Sequence, residues 1–303
     1  MSSPGLQFGA NVYKFPRFGP DVEPLVEYVQ TAERLGFHHM RFLDHVVGIV
    51  AERHGGIAST PYTSHSMLRE TFTLLAYLSA VTSKIRFVTG VLVLPQRQTV
   101  LVAKQAAEVD ILSKGRLTLG VGIGYNEVEY EALGAGFKDR ASRFEEQIEV
   151  LRLLWTQEEV TFEGRFHKMT DVSLSPRPVQ RPIPLFFGMG RSFAPVPPDA
   201  VLRRCGRLAD GWLPIIKPDE EGRAAVAKVH QAAIEAGRDP AKIQMEMGLD
   251  VQGLGPSEIS DEIKRRQDFG ASRIHIMLQG DSPEEQTEAM KRVAEVLHQG
   301  WLG

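Results

Sequence analysis

The sequence predicts a single α/β domain spanning residues 1–303 and folded as a closed (β/α)8 TIM barrel, and three observations predict it. Eight short β-branched or apolar runs recur along the 303 residues, and longer stretches with apolar residues at helical spacing lie between them. Neither half of the chain is enriched in strands or in helices, which favours a closed parallel barrel over an open doubly wound sheet. The length is also ordinary for one barrel of this kind.

The runs fall at residues 6–10, 39–43, 85–90, 117–121, 184–188, 211–213, 244–250 and 273–277. After the first, Val22, Leu25, Val29 and Ala32 share one face of a helix. After the second, residues 46–67 break the rhythm and read as an insertion loop. The glycine that ends the third run suggests a bulge. Between the fourth and fifth runs, Phe144, Ile148, Leu151 and Trp155 line another helical face, and residues 160–181 form a second insertion. Within it, Val160, Phe162, Gly164 and Phe166 read as a small hairpin. Pro176, Pro178, Pro182 and Pro184 mark an extended approach to the fifth strand. Gly237, followed by Pro240, stops the sixth helix. Ser282-Pro283-Glu284-Glu285 opens the last helix, with serine as cap, proline at the first helical position and a glutamate completing a capping box. The final residues, 300–303, are expected to fray.

Composition bounds the partners. Lysine plus arginine number 35 against 38 acidic residues, so neither nucleic acid nor an anionic membrane surface is expected to bind, and a small-molecule substrate is. The single cysteine, Cys205, cannot form an internal disulfide, and no paired cysteine or histidine spacing suggests a metal. Residues 1–15 lack the basic and apolar regions of a signal peptide, and no apolar run reaches the roughly 18 residues of a membrane helix, so a cytoplasmic setting is expected.

In such a barrel the chemistry sits at the carboxyl ends of the strands. Asp44-His45 ends the second strand, an acid beside a base able to move a proton near neutral pH. Thr89-Gly90-Val91 ends the third, where a bare backbone can approach a ligand. Gly120, Gly122, Gly124 and Tyr125 follow the fourth in a G-x-G-x-G-Tyr turn, where missing side chains let a flat ring or a phosphate approach main-chain amides. Tyr125 stands where a dinucleotide fingerprint needs its third glycine, which argues against a Rossmann site. Gly188, Met189, Gly190, Arg191 and Ser192 follow the fifth strand and could cradle a phosphoryl group. Asn11, Tyr62, His65 and Tyr125 are mouth residues that could reach a substrate. Glu127, Glu129 and Glu131 read as a solvated acidic edge, and His65, His167, His230, His275 and His298 show no ligand spacing.

Taken in this order, these segments resemble the luciferase-like monooxygenase superfamily, and within it the branch dependent on the deazaflavin coenzyme F420. The similarity is strongest from Arg69 to Gly136, through Ala80-Val81-Thr82-Ser83-Lys84-Ile85-Arg86, Val91-Leu92-Val93-Leu94-Pro95 and Gly115-Arg116-Leu117-Thr118-Leu119-Gly120, and continues at Phe162-Glu163-Gly164-Arg165-Phe166 and Ala209-Asp210-Gly211-Trp212. The resemblance implies a homodimer packed through barrel helices, with Asp44 and His45 beside the reactive ring of the cofactor. It also implies a non-prolyl cis peptide at Gly90-Val91 behind the ring, Gly122, Gly124 and Tyr125 near ring and side chain, and Gly188 to Ser192 at the phosphate end. Asn11 joins them as a cofactor-binding candidate.

Tyr125 occupies the place of a glutamate in the sugar-phosphate dehydrogenases of this branch, which argues against glucose-6-phosphate as substrate. The proline-rich stretch after Gly190 departs from the usual phosphate segment. The leading expectation is hydride transfer between F420 and a small organic substrate, with His45 and Asp44 catalytic and the two insertions closing over the site. The alternatives are a monooxygenase that uses reduced FMN supplied by a separate reductase, and a barrel that binds cofactor without chemistry.

Overall fold

The computed structural model describes residues 5–12, 20–54 and 62–302. Residues 55–61 of the first insertion, parts of the amino-terminal segment and Gly303 lie outside the described residues.

Eight parallel strands close into a barrel: β1 (Gln7–Val12), β2 (His39–Phe42), β3 (Arg86–Thr89), β5 (Leu117–Gly122), β8 (Leu185–Met189), β9 (Gly211–Pro214), β10 (Gln244–Asp250) and β11 (Arg273–Met277). Each pairs with the next, β11 pairs with β1, and β3 pairs with β5. A two-residue strand, β4 (Leu92–Val93), branches from the third position and pairs with the end of β5. The chain bulges where the third run was expected to, at Gly90-Val91, whose peptide is cis as the resemblance implied, and pairing resumes at Leu92.

The helices α1 (Glu23–Arg34), α2 (Thr71–Val81), α3 (Thr99–Leu112), α4 (Glu127–Ala132), α5 (Arg140–Thr156), α6 (Asp199–Leu208), α7 (Glu220–Glu235), α8 (Pro256–Phe269) and α9 (Pro283–Gly300) run between and after the strands. Phe144, Ile148, Leu151 and Trp155 are buried along one side of α5, as their spacing predicts. At α9 the Ser282 hydroxyl accepts from the Glu285 amide at 3.2 Å. Glu285 reaches back one residue further than a capping box does, and accepts from the Asp281 amide at 2.6 Å. Among the described residues no helix is long and apolar enough to cross a membrane.

The second insertion contains the expected hairpin, β6 (Val160–Glu163) paired antiparallel with β7 (Lys168–Val172). Glu146 on α5 accepts from the Arg165 and Phe166 amides and pairs with His167 Nδ1 at 2.7 Å, while His167 Nε2 lies 2.6 Å from the Thr99 hydroxyl. These bonds dock the hairpin on α3 and α5, on the outside of the barrel. The expectation that it closes over the mouth is not met.

Candidate functional site

The segments after β2, β3, β5 and β9 meet around one cavity of about 290 Å³, at the lower end of the roughly 300–1,000 Å³ usual for small-molecule sites. His45, Tyr62, Gly90, Val91, Gly124 and Tyr125 line it, and Ile215 closes the side beyond β9. Residues drawn from 45 to 215 in the chain thus share one mouth.

His45 is the group there best placed for proton chemistry. Its Nδ1 lies 3.1 Å from Glu129 Oε2, and its ring packs against Tyr62 with centroids 4.3 Å apart and against the edge of Tyr125 at 6.3 Å. Glu129 is 1% exposed, not part of a solvated edge as the spacing of Glu127, Glu129 and Glu131 suggested. Asn126 caps α4 through its side chain, and the turn started there rotates Glu129 inward beneath His45. The Glu129 carboxylate also accepts from the Val46 amide at 2.6 Å and from the Val47 amide at 3.3 Å. Burial alone would raise its pKa, but the His45 ring and the two amides hold it below the usual carboxylate range. An ionised acceptor on Nδ1 makes that nitrogen the donor and directs Nε2 toward the cavity.

Asp44 also lines the cavity, with its oxygens engaged within the protein. It is 2% exposed, and its oxygens accept from the Thr71 hydroxyl at 3.0 Å, Arg97 Nη2 at 2.6 Å and the Val93 amide at 3.1 Å. With both oxygens engaged, it locks the end of β2 to β4 and α2. It braces the mouth beside His45.

The glycines are required by the protein's own side chains. A Cβ on Gly188 would lie 2.3 Å from Val91 Cγ1, and one on Gly122 would lie 2.8 Å from Val91 Cγ2. Val91 therefore sits between two bare strands, which fixes the bulge against the wall formed by β5 and β8. Gly124, at φ +63°, leaves room for Val93, and Gly190, at φ +91°, for the carbonyl of Pro195. These contacts fill the space the missing side chains leave, and Gly124 also lines the cavity.

The phosphate cradle is only partly present. The Arg191 amide and the Ala194 amide each donate to the other's carbonyl, so that backbone donor is used, and the Arg191 guanidinium stacks on Phe193 at 5.7 Å. Arg191 and Ser192 are exposed, while Met189 is buried opposite Pro214 in the β8–β9 register. Asn11 is 3% exposed and its Oδ1 accepts from the Leu278 amide, tying β1 to the segment after β11; it does not line the cavity. His65 is exposed and also stands apart from the cavity.

Residues 5–251 match the family described as luciferase-like monooxygenase. An uncharacterized protein of Mycobacterium tuberculosis is 36% identical over 208 residues, which are 68% of this chain and 67% of that protein. A pyrimidine monooxygenase of Allorhizobium ampelinum is 32% identical over 233 residues, 74% of this chain and 59% of that one. Among solved structures, a long-chain alkane monooxygenase superposes with a TM-score of 0.81 at 13% identity, covering 98% of this chain and 92% of its own. A coenzyme F420-dependent tetrahydromethanopterin reductase from Methanopyrus kandleri superposes at 0.75 and 16% identity, covering 98% and 100%. At these identities the superpositions speak for the barrel alone. With that barrel, a mouth built around His45 and the Gly90-Val91 bulge, and a family match over most of its length, the chain belongs to the luciferase-like monooxygenases.

Proposed function

We propose that the protein is an F420-dependent oxidoreductase that moves hydride between the deazaflavin and a small organic substrate. One observation carries the reading: an imidazole tethered to Glu129 shares a cavity with the bare bulge at Gly90-Val91. The lining fits a flat, largely apolar ring, since Leu43, Val91, Val93 and Ile215 surround it and both carboxylates at the mouth are saturated by hydrogen bonds within the protein. When bound, the deazaflavin supplies a ring carbon that gives or takes hydride. His45 Nε2 holds or delivers the proton at the substrate atom whose charge changes, and Glu129 keeps the imidazole in the tautomer that allows it. The apolar walls exclude water from that exchange.

The similarity to a pyrimidine monooxygenase favours a second reading, in which reduced FMN from a partner reductase captures oxygen in the same cavity. Titrating purified protein with each cofactor separates the two. The expected result is micromolar binding of F420, followed by reoxidation of the bound reduced form by at least one member of a carbonyl and imine panel under nitrogen. Binding of FMN alone, with turnover that requires oxygen, would replace the first reading by the second.

We also propose that the working species is a homodimer. Helix α2 carries no charged residue, and Tyr77 on α2 and Leu101 and Leu112 on the adjacent α3 are about half exposed, an apolar face that a second copy of the chain would cover. Light scattering should give a mass twice that of the chain, falling to the monomer value for a Tyr77→Glu/Leu101→Glu double variant. A monomeric wild type at micromolar concentration refutes this.

A further inference from the structure

Beneath the bulge lies a buried group of titratable residues to which the mechanism above assigns nothing. Successive inward positions on three strands supply it: His39 and Arg41 on β2, Glu246 on β10, and Arg273 and His275 on β11. Glu246 is fully buried, with His39 Nε2 3.1 Å and Arg41 Nη1 and Arg273 Nη1 each 3.9 Å from its oxygens. Arg41 Nη1 also lies 3.2 Å from His275 Nδ1. Glycines make the room, for a Cβ on Gly9 would fall 2.2 Å from the His39 ring and one on Gly90 would fall 2.2 Å from Arg41 Nε. Gly90 lines the cavity and Arg41 does not, so the guanidinium passes under the inner side of the bulge.

The charges in this group do not cancel. Burial keeps both imidazoles from protonating, with His275 pushed down to about 3. Burial works against ionised Glu246, but the His39 ring beside it and the Arg41 guanidinium hold it well below the usual carboxylate range. Two guanidinium groups therefore face one carboxylate. Among the described residues no second acid lies within ion-pair distance of Arg41 or Arg273, and Arg41 Nε is buried without a hydrogen-bond partner. An unbalanced cation inside a barrel is costly unless a negative charge is presented to it. The Arg41 side chain is 12% exposed, and Gly90, which lies against its Nε, lines the cavity.

We propose that Arg41 is a positioning residue whose uncompensated charge, set beneath the Gly90-Val91 bulge, favours the reduced and more negative state of a ring bound above it. This rests on the reading that a flavin-type ring occupies the cavity. Arg41→Met removes the charge, keeps the stem under Gly90 and leaves Arg273 and Glu246 as a balanced pair, so the barrel should tolerate it.

The test compares the affinities of oxidised and reduced cofactor, with F420 and FMN titrated in parallel without oxygen. Arg41→Met should lower the preference for the reduced form at least tenfold, equivalent to about 30 mV for a two-electron couple. Arg41→Lys should keep it within about threefold. If Arg41→Met fails to fold, Arg41→Gln, which retains a donor toward His275, is read in the same way. An unchanged preference in the neutral variants of a wild type that does bind cofactor overturns the role of Arg41 alone. A wild type that holds neither cofactor overturns this inference together with the function it rests on.

Discussion

Glu246→Gln is expected to lower the stability of the barrel by about 3–5 kcal/mol, the usual result of removing one partner from a buried ion pair. The variant keeps the volume of the side chain and loses its charge, leaving Arg41 and Arg273 with no counter-ion where the described residues offer only Glu246. The contrast with Arg41→Met is the informative part. Removing that guanidinium leaves one positive and one negative charge, and should cost much less than removing the carboxylate. Urea unfolding at pH 7.5 measures both, and a loss below about 1 kcal/mol for Glu246→Gln would mean that the group is hydrated and the charges are not truly buried.

The same group gives the barrel an acid sensitivity of known sign. His275 protonates only near pH 3 in the folded protein, but near its ordinary value of about 6.5 in the unfolded chain. Between those two pH values the unfolded state binds a proton that the folded state refuses, so stability falls on acidification by up to about 1.4 kcal/mol per pH unit for each such proton. His39, lowered by burial, adds to the slope in the same direction. The depressed Glu246 acts lower down, its contribution intact above the unfolded carboxylate range and lost as pH falls below it.

Much of this architecture is legible in the sequence because the period of the apolar residues changes between strand and helix. The strands at residues 244–250 and 273–277 end where the pattern says. The third run was ended at Gly90 with a bulge read there, and the chain does bulge at that place; what the pattern missed is the strand at Leu92 and Val93, because two residues carry no period. Glu129 escaped because three glutamates at alternate positions look like a solvated edge; the available signal was Asn126 three residues earlier, a cap that starts a helical turn and carries the middle glutamate inward. The interior charges left a trace as well, in the period-two pairs His39/Arg41 and Arg273/His275, which place polar groups on one face of predicted strands. Glycines were taken as openings for a ligand, yet Val91, Val93 and Pro195 fill the spaces they leave. Sequence spacing marks where a side chain is missing, and only the packing says what uses the gap.

His45→Ala is expected to reduce turnover by about 10²–10⁴-fold, the range for loss of a positioned general acid or base, with cofactor affinity changed much less. The substrate identified from the carbonyl and imine panel serves for the assay. Glu129 gives the sharper test, because its carboxylate, at the edge of the same cavity, is engaged by His45 and by the Val46 and Val47 amides. In Glu129→Gln the amide can still accept from the Val46 and Val47 amides, so the loop after β2 should remain in place. What changes is the partner of Nδ1: with its one oxygen kept on the two amides, the glutamine presents its NH2, so Nδ1 becomes the acceptor and the ring proton moves to Nε2. The imidazole then loses the tautomer that the carboxylate fixes, and turnover should fall by about 10²-fold, within the limit set by tautomer loss in serine hydrolase triads. Nitrogen NMR of the labelled ring distinguishes this from a general loosening. The wild type should show the proton on Nδ1, and Glu129→Gln a shift of that proton toward Nε2 with unchanged thermal stability of the barrel core. If Glu129→Gln turns over at the wild-type rate with its Nδ1 proton retained, then the carboxylate serves only to anchor the Val46 and Val47 amides, and His45 acts without it.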